Sequence, residues 1–262
     1  MMRTANPALN AQVFQQAQAR GLGAGETMTL QGAVNKCFIL LALLVLSASW
    51  VWGKIAQPAS VYEGMEGVGQ AAASSAGPLM MLGIFGGMIA GFITIFKKEW
   101  APVTAPIYAV LEGLFLGGVS ALLELQYPGI VVQAVALTFG ALFCLLTAYK
   151  SGLVKPTENF KLGLVAATGA ICLVYFVSFV MGFFGASIPL LNSSGPFGIA
   201  FSLFVVTIAA LNLVLDFDFI EHGSAMGVPR YMEWYAAFGL IVTLVWLYIE
   251  ILRLLSKLRE RR

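Results

Sequence analysis

The chain has 262 residues, 59% of them hydrophobic and only 11% charged, with a mean hydropathy of +0.86; soluble domains carry roughly a quarter charged residues. A chain this apolar lacks the polar surface to cover a globule, so the bilayer must serve as part of its solvent. The formal net charge of +2 is too small to suggest a nucleic-acid partner, and three well-separated cysteines (Cys37, Cys144, Cys172) without a CxxC give neither a disulfide framework nor a metal site.

Residues 1–32 are polar, with Asn6, Asn10, Gln12, Gln15, Gln16 and Arg20, and the first apolar run begins near Ala33. A cleaved signal peptide would put its short apolar region sooner and end it at small residues. Ser47-Ala48-Ser49 is instead followed by Trp50-Val51-Trp52, which continues the run, so it reads as an uncleaved first span. A spanning helix needs about 20 apolar residues at about 1.5 Å rise each. Seven runs qualify, near 33–53, 78–96, 103–124, 129–149, 162–185, 196–218 and 234–255. Turn formers separate them, among them Gln57-Pro58, Tyr127-Pro128-Gly129 and Asn192-Ser193-Ser194-Gly195-Pro196. Backbone groups find no water in hydrocarbon, so helices joined outside the core are the consistent reading. The expected fold class is all-α, an integral membrane helical bundle of about seven transmembrane helices. Its parts are a polar N-terminal segment (1–32), the transmembrane domain (33–256) and a basic tail (257–262). The lipid bilayer is its first partner.

Lysine and arginine counts set the expected orientation. With the N-terminus in the cytoplasm, that side holds Arg3, Arg20, Lys36, Lys97, Lys98, Lys150, Lys155, Lys161 and Arg230, against Lys54 alone in the opposite loops. Arg253, Lys257, Arg259, Arg261 and Arg262 follow the last run, and seven full spans would place them outside. Either the loops outweigh this tail, or the last run is re-entrant and returns it; the full span is favoured, because the run has Gly239 and no proline to turn on. Gly83, Gly87 and Gly91, and again Gly113 and Gly117, recur every four residues on one helix face, which predicts close helix packing within the chain.

Carboxylates are expensive in hydrocarbon, so each needs a reason. Glu112 falls in mid-span, Asp216 and Asp218 near the end of the sixth run, Glu250 in the last run and Glu233 at its start. Two residues apart on a helix, Asp216 and Asp218 lie about 200° apart, so one is expected to point inward and the other to the headgroups. Asn212, four residues before Asp216, is a candidate hydrogen-bond partner. Asp218, Glu221 and Glu233 are expected to be solvated near the interface. Two neighbouring buried carboxyls can share one proton, and its loss leaves repulsion or a cation site.

Catalytic motifs are missing: HExxH is absent, His222 stands alone, and no Gly-x-Ser-x-Gly elbow or Gly-x-Gly-Asp motif occurs. No enzyme, cofactor or bound metal is expected.

Asp216-Phe217-Asp218-Phe219-Ile220-Glu221-His222, closing a long apolar span, resembles the aspartate motif that ends the sixth span of the Bax inhibitor-1 family. Leu247-Tyr248-Ile249-Glu250-Ile251 resembles that family's last-span pattern, and Glu112-Gly113-Leu114-Phe115-Leu116-Gly117 its third-span motif. Arg3-Thr4-Ala5-Asn6-Pro7-Ala8-Leu9 and Met232-Glu233-Trp234-Tyr235 look like a bacterial, YccA-like branch, in the inner membrane. The resemblance implies a pH-sensitive calcium leak, with calcium or another cation as the permeant ion. It also implies two hydrogen-bonded acids in the last two spans and a basic latch near the second. Carried over, the acids are Asp216 and Glu250, and the candidate latch is Lys97 or Lys98. Here the second acid is Glu rather than Asp, and the interval of 34 residues is longer than the family's. On straight helices Glu250 would lie about 25 Å beyond Glu233, so Asp216–Glu250, Asp216–Glu233 and no pair all stay open. The alternative function is a non-conducting regulator that binds a membrane protease or stress-response partner through residues 1–32.

Overall fold

The computed structural model describes residues 27–61, 68–185, 188, 191 and 193–261. The polar segment up to residue 26, with its proposed partner contact, lies outside them. Seven long helices follow in order: α1 (Leu30–Val61), α2 (Val68–Phe96), α3 (Ala101–Gln126), α4 (Ile130–Lys150), α5 (Glu158–Phe183), α6 (Pro196–Ala225) and α7 (Met232–Glu260). Each contains a stretch long and apolar enough to cross a bilayer. The expected all-α membrane bundle is what forms. A lone β-bridge between Thr27 and Pro229 ties the start of the described chain to the α6–α7 turn.

The helix boundaries have local causes. Thr157 caps α5 by accepting from the Phe160 amide, satisfying one of the amides a helix start leaves open. Gly129 holds a positive φ of 82° at the tight turn into α4, a conformation that favours glycine. There Glu124 accepts from the amides of Gly129 (2.6 Å) and Val131 (3.1 Å), so an acid from the end of α3 closes the start of α4.

α7 is the axis of the bundle. It packs on α1, α3, α4 and α6, and 67% of its membrane-crossing window is buried, against 17% for α4 and α5. α5 lies at the edge, on α6, and α2 on α1 and α3. Glycines set the tightest approaches. A Cβ on Gly83 would sit 2.7 Å from the backbone of both Leu111 and Phe115, and one on Gly117 would collide with the Ala48 carbonyl. The glycine repeats thus serve packing inside the chain.

α7 is continuous over 29 residues, about 43 Å of helix, so the last run crosses fully and the re-entrant alternative falls away. The basic residues after residue 252 therefore lie at the end of the bundle opposite Lys97, Lys150 and Lys161. We term these the far end and the lysine-rich end. The basic tail expected from residue 257 is largely helical, since α7 runs to Glu260.

Candidate functional site

Five acids singled out by sequence occupy three separate environments. At the lysine-rich end, α6 presents Asp216 and Asp218 on opposite sides, as their spacing requires. Both are buried, at 0% and 5% exposure. Asp216 faces α1, on the side of Cys37. Asp218 faces α5, where Lys161 Nζ lies 2.8 Å away, and His222 Nδ1 is 3.1 Å away on the next turn. The expectation that Asp218 reaches the headgroups is thus overturned. Lys161, counted by sequence as a loop charge, folds inward from the first turn of α5 and neutralises it. Asn212 does not serve Asp216 either: its amide donates to Thr168 Oγ1 (2.9 Å) and the Ile208 carbonyl (2.8 Å).

Glu233 was expected to be solvated and is instead 2% exposed. Its Oε1 accepts from the Thr29 amide and hydroxyl, both at 3.0 Å, and its Oε2 pairs with Lys36 at 3.1 Å. Thr29 in turn caps α1 by accepting from the Gly32 amide. The carboxylate thus sits at the N-terminus of α1, where the helix dipole favours negative charge. Gly32 makes this seat, because any side chain there would overlap the Glu233 carboxylate. Of the two candidate latch lysines, Lys97 is exposed and lies 4.8 Å over the Trp100 ring. Lys98 reaches α7, 5.9 Å over Tyr235.

Glu250 belongs to the far end. Tyr175 on α5 donates to its two oxygens at 2.9 and 3.0 Å. Arg253 donates to both at 3.0 and 3.1 Å, and to the Tyr175 hydroxyl at 2.6 Å. One turn on, buried Lys257 donates to the Gly198 carbonyl (3.2 Å) and Ser202 Oγ (2.8 Å) of α6. The Asp216–Glu250 pair does not form, nor does Asp216–Glu233. Asp216 is nine residues before the end of α6 and Glu250 eighteen past the start of α7, which leaves them about 13 Å apart in depth.

Glu112 is alone in the middle of α3. It is half-buried, and its Oε2 fills the space that Gly87 of α2 leaves open. Among the described residues no hydrogen bond or ion pair reaches its carboxyl.

Sequence reasoning missed Lys161, Tyr175 and Lys36 as partners. It had one usable signal for the far end: Glu250 and Arg253 are three apart and so share a helix face.

Seven crossing helices that enclose acids, each in its own setting of depth and partner, define a polytopic membrane protein with ionisable groups inside its bundle. Residues 6–260 match the model of the family described as Bax inhibitor 1 like, and the chain belongs to that family. No curated protein and no solved structure matches the chain.

Proposed function

We propose that the protein is a cation leak, permeable to calcium, whose conduction follows the proton occupancy of Asp216. The observation that carries this reading is the position of Asp216, wholly enclosed between α6 and α1 within the membrane-crossing bundle. A carboxyl placed there persists when a proton, a cation or a neighbouring group neutralises it. Hard cations seek oxygen ligands, and Glu112 offers a second carboxyl at mid-span of α3. Family membership and the motif resemblance point the same way. The lysine-rich end is assigned to the cytoplasm and the protein to the cell membrane, on the excess of Lys and Arg in the loops.

The test is calcium flux into proteoliposomes across the neutral pH range. Wild type should conduct in a pH-dependent manner, and Asp216→Asn, which holds one charge state, should conduct equally at every pH. A variant that keeps the wild-type pH profile removes Asp216 as the sensor. No flux from well-folded wild type would sink the channel reading, leaving a non-conducting regulator of a membrane protease.

A further inference from the structure

In the far half of the bundle, away from the acids at the lysine-rich end, is a cavity of about 530 Å³. α1 and α4 form its sides through Leu44, Ala48 and Val135, and α3 and α7 its floor through Gly117 and Leu244. Of the five polar side chains in the lining, Ser49 and Trp52 lie toward its outer end and the other three are engaged inside the protein. Ser120 Oγ and the Tyr248 hydroxyl bond each other at 2.7 Å, and Thr138 Oγ1 donates to the Ala134 carbonyl at 2.8 Å. Such a wall suits an apolar occupant.

The groove is continuous with the lipid-facing surface. Val45, Val132, Val135 and Phe139 line it while remaining 45%, 72%, 40% and 40% exposed. Its lining on α1 runs from Leu41 to Trp52, about 16 Å along the axis. Long, apolar and open along one side to the bilayer, the groove has room for a single hydrocarbon chain lying along α1. At the outer end stands Trp52, and just beyond it exposed Lys54 lies 4.2 Å over the Trp50 ring. Tryptophans and a cation mark the headgroup level.

From this we infer a lipid site: the groove holds one acyl chain of a phospholipid from the far-end leaflet, with its headgroup beside Trp52 and Lys54. The chain becomes part of the wall between α1 and α4, filling space that would otherwise forfeit packing contacts.

The full-length protein is delipidated in detergent and weighed by native mass spectrometry. In parallel it is reconstituted in phosphatidylcholine–phosphatidylglycerol vesicles doped with a phospholipid bearing a photoreactive acyl terminus. Wild type should retain one phospholipid mass and take label mainly at Leu44 and Val135. Val132→Trp and Val135→Trp, which fill the groove, should each lose the retained lipid. Leu173→Trp, on the lipid-facing side of α5, should keep it. Label spread evenly to residues such as Phe85 and Phe176, or retention unchanged in both groove variants, overturns the proposal. So does a second polypeptide found in the groove in place of label.

Discussion

Asp218 and Lys161 show how a single contact changes the meaning of a residue. An aspartate two positions from another on an apolar helix reads as bound for water, and a lysine after Pro156 reads as a loop charge. Folding brings them to 2.8 Å with both side chains 6% exposed. Removing one partner of such a pair strands the other, at about 3–5 kcal/mol, whereas replacing both with apolar groups is often neutral. Lys161→Met should therefore lower unfolding stability in detergent by about that amount, and Lys161→Met with Asp218→Leu should recover most of it. A double variant as unstable as the single one would show that the pairing is not what holds α5 to α6. The acids themselves were visible in the sequence because each interrupts an apolar run. Their partners were not, since Lys161, Tyr175 and Lys36 come from other helices and their reach depends on tertiary packing.

At the scale of helices, the seven spans were readable because length and apolarity act locally; the structure keeps both ends of α3, α4 and α5 close to the expected runs and extends α1, α2, α6 and α7 further at one end. α7 departs most in character: three acids and three basic residues punctuate it, yet it is the most buried span. Its charges are absorbed by neighbours, Glu233 by α1 and Glu250 by Tyr175 and Arg253. Glycine spacing on α3 predicted close contact but not the partner, which is α1 for Gly117. Gly117→Val should push α1 from α3 and reduce stability by about 1–3 kcal/mol. Gly140→Val, with open space around it, should stay within about 0.5 kcal/mol of wild type. Equal losses at both positions would remove close approach as the reason for the glycine.

For the molecule as a whole, seven continuous crossings oblige the two ends of the described chain to face opposite compartments. Charge counting left this open because it weighs every basic residue alike. In the structure Arg253 is held by Glu250, Lys257 is buried on α6, and Arg259 donates to the Pro128 carbonyl, so three of the five charges that follow the last run are engaged by the protein itself. In a cysteine-free background, Ser151→Cys should react with a membrane-impermeant thiol reagent from the cytoplasm alone, and Arg261→Cys from the outside alone. Labelling of both from one side would refute the seven-span topology. Finally, the Thr29–Glu233 contact and the neighbouring bridge from Thr27 to Pro229 fasten the start of the first helix to the start of the last. Tension applied to the polypeptide ahead of Thr27 would pass into α7 at Glu233 without travelling through the five helices between, so a tug on that strand would be felt directly at the bundle's axis.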